Sequence, residues 1–138
     1  MQNGVGTYFA LPSNYPGRNV PDISFNADPE TGYVIYYTSD VTGFSVLNFW
    51  GGTSFVAPQL NGVCALIGEE LQGRLGLLNY PLYAMAQNGT AYKSPNAPLH
   101  AIAYGDNWFY YGSQGYNLGA GLGTLDVANF ADYLRGLF

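Results

Sequence analysis

A serine follows two glycines directly before an apolar stretch, in the segment Gly-Gly-Thr-Ser-Phe-Val-Ala-Pro at residues 51–58. Apolar residues then recur at intervals of three and four, which predicts a helix beginning close to Ser54. The dipole and free amides of a helix N-terminus stabilise negative charge that develops on a nearby carbonyl oxygen. Serine is also a favoured helix cap, so spacing alone favours a capping role over a nucleophilic one. A nucleophilic Ser54 would also need a base within hydrogen-bonding distance.

Strands and helices predicted on either side would position this serine. Residues 33–37 and 44–49 are rich in β-branched and aromatic side chains and flank a polar turn, so they predict a β-hairpin that leads to the helix. Pro58 is expected in the first turn of that helix, where a missing amide hydrogen costs little. The other predicted elements are a strand over residues 20–27, a helix over 80–86, a strand over 100–103 and a helix from Asp126 to about Leu134.

Composition limits the class of protein. The 138 residues are 48% hydrophobic and 17% aromatic, which suffices for one domain with a packed core and excludes a disordered chain. Four basic residues stand against nine acidic ones, for a net charge of −5, so neither a nucleic acid nor an anionic membrane is expected as a partner. No apolar stretch is long enough to span a bilayer. The one cysteine, Cys64, excludes an internal disulfide and, within its apolar run, predicts a buried and unreactive thiol.

Several segments together resemble one family. The pattern Gly-Thr-Ser-x-x-x-Pro before an Ala- and Val-rich helix resembles the nucleophile motif of the subtilisin-like clan of serine peptidases. Residues 18–29, Arg-Asn-Val-Pro-Asp-Ile-Ser-Phe-Asn-Ala-Asp-Pro, are similar to a segment of the sedolisin family, the kumamolisin-like serine-carboxyl peptidases. Residues 78–83, 115–117 and 119–124 are similar to later motifs of that family, in the same order. The resemblance covers nearly the whole chain.

The resemblance implies an α/β fold, namely the C-terminal part of a subtilisin-like parallel sheet flanked by helices, with the hairpin leading to the nucleophile helix. Residues 1–138 would then be a single domain, the C-terminal portion of a peptidase domain whose N-terminal portion is absent. The activity implied is that of an acid-acting serine-type endopeptidase in which Ser54 is the nucleophile. Its partners would be a peptide or protein substrate and the N-terminal part of the same domain. The candidates for the substrate cleft are Trp50, Gly51, Gly52 and Thr53.

In this family a glutamate is the base, an aspartate orients it, and a further aspartate helps form the oxyanion hole; all three belong to the N-terminal part. The chain offers poor substitutes. Glu69 and Glu70 lie on the helix that Ser54 opens, roughly 22 Å away at about 1.5 Å per residue. His100, the one histidine, is placed by the resemblance beside a calcium loop. The resemblance places Asp22 and Asp28 in a segment that builds a strand and a substrate-side loop, and Asp22 is expected to bind backbone amides at its turn. Asp40 is expected at the hairpin tip. The chain alone is therefore expected to be inactive.

The calcium loop departs from the family pattern. An Asp-Ile pair of the family maps onto Ala101-Ile102, and its later ligands map onto Ser113, Gly115 and Asn117, so both carboxylates are gone. Calcium takes about 6–8 oxygen ligands and favours anionic ones. We therefore expect no cofactor and a lost calcium site, with the carbonyls of Ile102, Ser113 and Gly115 and the Asn117 amide shaping the loop by hydrogen bonds. Asp106 is the nearby carboxylate that would have to compensate.

Two alternatives to a peptidase stay open. In a non-catalytic fragment or pseudoenzyme, Ser54 is only a helix cap, and the lost calcium ligands favour that interpretation slightly. In an aromatic-rich carbohydrate- or peptide-binding module, residues 108–111, Trp-Phe-Tyr-Tyr, form a stacking platform, although packing inside the protein is the commoner fate of such residues. The resemblance implies an extracellular location, whereas the first four residues lack the basic and apolar regions of a signal peptide.

Overall fold

The computed structural model describes residues 19–137, which fall into two compact units. Unit 1 comprises the described residues up to Ser24 together with those from Ile67 onward, and unit 2 comprises Phe25–Leu66. The elements in chain order are β1 (Tyr33–Ser39), β2 (Gly43–Trp50), α1 (Thr53–Glu70), α2 (Asn79–Gln87), β3 (Leu99–His100), β4 (Thr124–Leu125) and α3 (Val127–Arg135). Helix α1 begins in unit 2, and its last turn is counted with unit 1. Residues 1–19 are rich in Gly, Asn and Pro, a composition that predicts a loop, and residues 1–18 of this stretch lie outside the described part.

Unit 2 holds the predicted β-hairpin, which is confirmed and runs slightly longer at both strands. Strands β1 and β2 are antiparallel, with Ile35 opposite Leu47, and the register shifts between Tyr33 and Ile35. Residues 40–42 form the tip, as predicted for Asp40. The Ser39 hydroxyl accepts hydrogen bonds from the amides of residues 41 and 42, which closes the turn.

Helix α1 begins at Thr53, directly after the glycine pair, in agreement with the predicted start near Ser54. Two expectations for its first turn are wrong. Ser54 is the second helical residue and not the cap, and Pro58 is the sixth residue, so it lies beyond the first turn. Because proline has no amide hydrogen, the carbonyl of Ser54 receives no bond from residue 58. Ser54 is exposed, and water can therefore satisfy that carbonyl at low cost.

Unit 1 contains the buried core of the described chain. Helix α2, predicted over 80–86, and helix α3, predicted from Asp126, are both confirmed. The Asp126 carboxylate caps α3 by accepting a hydrogen bond from the amide of Asn129 at 2.9 Å. The side chains that are almost fully removed from solvent are Phe130, Ile67, Met85, Leu99 and Leu134. Burial of such large apolar side chains is the main favourable contribution to folding.

Two predicted strands are wrong in whole or in part. Residues 20–27 form no strand. Two backbone hydrogen bonds join this segment to the loop before β4, from Leu122 N–H to the Asp22 carbonyl and from Ser24 N–H to the Gly123 carbonyl. Two such bonds are too few for a regular strand pairing. The strand predicted over 100–103 is reduced to Leu99–His100. Next to the pairing of His100 with Thr124, Gly123 has φ +95° and lies so close to His100 that a Cβ on it would be 2.1 Å from the His100 carbonyl oxygen.

The mixed α and β class is confirmed. The sheets of the described residues are two antiparallel pairs, β1 with β2 and β3 with β4. The subtilisin-like parallel sheet and the single domain over residues 1–138 stay predictions. Among residues 19–137, every helix is too short or too polar to cross a bilayer.

Candidate active site

The turn that precedes Ser54 can be built only with glycines. A Cβ atom on Gly51 would lie 2.6–2.8 Å from backbone atoms of residues 27–29, well inside van der Waals contact. Gly52 has φ +107°, a conformation that side chains other than glycine rarely adopt. The chain therefore leaves strand β2 through a sharp bend and enters helix α1 immediately. The bend places Ser54 and Thr53 on the surface of unit 2.

A polar loop over residues 26–31 contacts this turn and stabilises it. The Asp28 carboxylate accepts hydrogen bonds from the Glu30 amide at 3.0 Å and from the Thr31 amide and hydroxyl at 3.3 and 2.9 Å. These bonds, that from the Glu30 amide first, lower the pKa of Asp28. The loop in turn presents the Ala27 carbonyl, which accepts a 2.6 Å bond from the Gly52 amide. The position of the glycine turn thus depends on an internally hydrogen-bonded loop.

The hydrogen bonds within this loop were not predicted from the sequence. The family resemblance placed Asp28 only in a segment that builds a strand and a substrate-side loop. The signal was present in the run Asn-Ala-Asp-Pro-Glu-Thr-Gly at residues 26–32, because Asn and Asp side chains bond to backbone amides a few residues on. Asn26 does the same, since its Oδ1 accepts the Asp28 amide at 3.1 Å.

Aromatic rings hold the start of helix α1 against the hairpin. The rings of Phe55 and Tyr33 are stacked, with centroids 5.0 Å apart and an interplanar angle of 6°. The rings of Trp50 and Phe55 are tilted relative to each other, with centroids 6.3 Å apart. The Tyr33 hydroxyl donates a hydrogen bond to the Asn26 carbonyl at 2.7 Å. Trp50 keeps 44% of its surface exposed. The four cleft candidates directly precede Ser54: Trp50 and Thr53 are exposed, and Gly51 and Gly52 are half-buried.

The Ser54 hydroxyl has no base within unit 2. In the described residues of that unit, no group hydrogen-bonds to it. Its acidic residues are Asp28, which is occupied by the loop, Glu30 beside it, and Asp40 at the hairpin tip. The first turn of α1 carries no acidic side chain, so nothing there offsets the positive end of the helix dipole. The arrangement is suited to nucleophilic attack only if a proton acceptor is supplied from elsewhere.

The remaining candidates have structural partners. His100 is exposed, with Nε2 3.9 Å from a carboxylate oxygen of Asp126. Asp22 accepts a 2.6 Å hydrogen bond from the Tyr83 hydroxyl. Glu70 pairs with Arg135, which also binds Asp132.

Cys64 is half-buried rather than fully buried, and desolvation raises the pKa of its thiol, which agrees with an unreactive group.

Three of the residues predicted to shape the calcium loop are brought together in unit 1. Asn117 is buried, and its Nδ2 donates to the carbonyls of Ile102 and Ser113 at 3.2 and 3.3 Å. Gly115, which comes between Ser113 and Asn117 in the sequence, is in the left-handed region at φ +74°. Asp106 is exposed and accepts a bond from the Trp108 amide at 2.9 Å. Among residues 19–137, no three His, Cys, Asp or Glu side chains converge as metal ligands would.

The chain is similar in sequence to two known proteins, although no family model matches it. It is 33% identical over 132 residues to kumamolisin from Bacillus sp. (strain MN-32), covering 86% of this chain and 21% of that protein. It is also 33% identical over 130 residues to sedolisin from Pseudomonas sp. (strain 101), covering 89% of this chain and 20% of that protein. The chain thus spans about a fifth of the length of these curated relatives. The chain is a partial match to the sedolisin family, the family that its sequence motifs predicted.

Proposed function

We propose that this chain is the nucleophile-bearing C-terminal part of a sedolisin-like serine-carboxyl endopeptidase. The observation that carries the proposal is the exposed Ser54 on the first turn of α1, directly after a turn that only glycines fit. The relationship to kumamolisin and sedolisin supports it at the level of the family. Within unit 2 the Ser54 hydroxyl accepts no hydrogen bond from a backbone amide, as the hydroxyl of a capping serine would.

The proposed reaction is acyl transfer to water. Ser54 Oγ attacks the carbonyl carbon of the scissile peptide bond while its proton passes to a carboxylate base, and negative charge develops on the carbonyl oxygen. Collapse of this intermediate breaks the C–N bond, the amine leaves with a proton, and an ester to Ser54 remains. Water then hydrolyses that ester. A carboxylate base suits acidic conditions, where an imidazole would already be protonated.

The base, the aspartate that orients it and the oxyanion aspartate are proposed to come from the N-terminal part of the same domain. The exposed apolar surface of unit 2 supports the need for such a partner. An isolated two-stranded hairpin is marginally stable at best, and this one leaves large apolar side chains exposed on both strands. These side chains are Val34, Tyr36, Tyr37, Phe44 and Val46. We propose that the N-terminal part covers these side chains and supplies the missing carboxylates together.

The proposed substrate is a peptide or protein bound in extended form along the stretch from Trp50 to Thr53, because the two glycines allow close backbone approach. An extracellular, acidic working environment is part of the same proposal. The low charge of the chain, 9% of residues, limits the charge repulsion that acid would otherwise create.

Labelling by a fluorophosphonate probe at acidic pH tests this proposal. The probe is applied to the product of the complete gene and, separately, to the 138-residue chain. Labelling is expected in the complete product, absent from its Ser54→Ala variant and retained in a Ser94→Ala variant, which removes a serine of unit 1. The 138-residue chain alone is expected to stay unlabelled. Failure of the complete product to label at any acidic pH would favour a pseudoenzyme.

An aromatic binding module is the second candidate. Within residues 108–111, Trp108 is 92% exposed, and Phe109 and Tyr111 are also exposed, so these three rings are not packed in a core. Exposed rings of this kind can stack on sugars or on peptide side chains. Binding of an oligosaccharide that is unchanged in Ser54→Ala and lost in Trp108→Ala would favour this module.

A further inference from the structure

We propose that the side-chain amide of Asn117 takes the structural place of a bound cation in the loop of unit 1 that we call the Asn117 loop, formed by Ile102, Ser113 and residues 117–121. In this loop an amide NH₂ group, and not a metal ion, holds converging backbone carbonyls together. The proposal concerns unit 1 alone and does not depend on the role of Ser54.

Every polar atom of Asn117 has a partner. Besides the two bonds that Nδ2 donates to the carbonyls of Ile102 and Ser113, Oδ1 accepts bonds from the amides of Gly119 and Ala120 at 3.1 and 2.8 Å. An asparagine side chain has two donors and two acceptor lone pairs, so all four are used. The backbone of Asn117 is paired as well, in both directions with Gly121 at 2.9 and 2.8 Å. Only 7% of the residue is exposed, so these bonds face little competition from water.

The surrounding groups fix which end of the amide faces the carbonyls. Rotation of the amide by half a turn would point the NH₂ group at the two backbone amides and Oδ1 at the two carbonyls. That orientation would exchange four hydrogen bonds for four repulsive contacts in a buried position. The two carbonyls of Ile102 and Ser113 therefore converge on a donor.

The residues present do not fit calcium. The ion requires several oxygens at about 2.3–2.6 Å and gains most from carboxylates. In the Asn117 loop the lone pairs of Oδ1 are already engaged, and Ala101 offers no side-chain oxygen. Asp106 is exposed, and its Oδ1 is bonded to the Trp108 amide. The NH₂ group supplies partial positive charge to the two converging carbonyls. Because the amide is neutral, it needs no carboxylate to balance it, as a bound calcium ion would.

The substitution Asn117→Asp tests the proposal, because it replaces the NH₂ group with a second oxygen and leaves the shape almost unchanged. Thermal unfolding of the full 138-residue chain is followed in chelator and in millimolar calcium. The unsubstituted chain is expected to show the same Tm in both. Asn117→Asp is expected to lose about 10 °C in chelator, because two buried carbonyls lose their donor, and to recover much of it in calcium.

Asn61→Asp is the matched control. Asn61 is exposed in the middle of α1, away from both ends of the helix. This variant introduces the same charge and is expected to show an unchanged Tm in both solutions. The proposal is overturned if chelator lowers the Tm of the unsubstituted chain, if Asn117→Asp is as stable as that chain in chelator, or if calcium gives no recovery.

A second measurement needs no variant. In the unsubstituted chain, the two side-chain amide protons of Asn117 are expected to exchange slowly with solvent in nuclear magnetic resonance spectra, and calcium should leave their resonances unmoved. Rapid exchange, or a shift of these resonances on titration with calcium, would contradict the proposal even if Asn117→Asp failed to fold.

Discussion

Two loops of this protein treat their polar groups in opposite ways. At the Gly51-Gly52 turn of unit 2, the neighbouring loop satisfies its own hydrogen bonds and leaves the Ser54 hydroxyl exposed, without a partner in that unit. In the Asn117 loop of unit 1, every polar atom of the central side chain is used internally. The Ser54 hydroxyl, which we propose as a nucleophile, is exposed and accepts no bond in its unit, whereas the Asn117 side chain is buried and uses all its donors and acceptors. An exposed and unbonded group is available to react, whereas a buried and fully bonded group can only maintain shape.

The largest expected effect concerns Ser54. In the product of the complete gene, Ser54→Ala is expected to abolish fluorophosphonate labelling at acidic pH, because the attacking oxygen is gone. In the same variant of the 138-residue chain, the free energy of unfolding should change by less than about 0.5 kcal/mol, since the hydroxyl is exposed and makes no bond in unit 2. Urea unfolding measures this. A loss near 1 kcal/mol, as for a helix cap, would instead indicate a structural serine.

The next largest effect concerns the turn itself. Gly51→Ala is expected to reduce the free energy of unfolding by about 2–3 kcal/mol, because the added methyl group would meet backbone atoms at 2.6–2.8 Å. Gly62→Ala is the matched control on α1, where an added Cβ meets nothing within 4 Å. That variant should gain about 0.5–1 kcal/mol, as expected for glycine in a helix. Equal urea midpoints for the two variants would show that the glycine turn is not tightly supported.

A smaller effect concerns the loop that supports the turn. The pKa of Asp28 is lowered below its ordinary value of 3.8 by hydrogen bonds in the folded state, first that from the Glu30 amide. The ionised carboxylate therefore stabilises the fold above about pH 3.8, and this contribution disappears as the pH falls through the lowered pKa. Asp28→Asn should show a smaller loss of Tm between neutral pH and acid than the unsubstituted chain. The same profile in both, or an equal effect of Asp40→Asn at the exposed hairpin tip, would contradict this role.

Much of the fold was predictable where local pattern and tertiary structure agree. The hairpin, the start of α1 and the cap at Asp126 all followed from residues close together in sequence, because turn, capping and periodicity rules are local. The strand expected over residues 20–27 was not predictable in this way. Whether an extended segment joins a sheet depends on the neighbour that it meets, and Ser24 meets an irregular loop ending in Gly123.

The amino-acid sequence by itself determined the chemical types: a serine after two glycines, a family relationship, and carboxylates missing from the mapped calcium positions. Only the tertiary structure decided what surrounds those groups. It decided that Ser54 is exposed on the first turn of α1, that Asp28 stabilises the loop beside its turn, and that the Asn117 NH₂ group bonds to the carbonyl of Ile102, a residue distant in sequence, as well as to that of the nearby Ser113. The reason is physical, since residue type limits which bonds a group can make, whereas the packing of segments far apart in the chain selects which of them form.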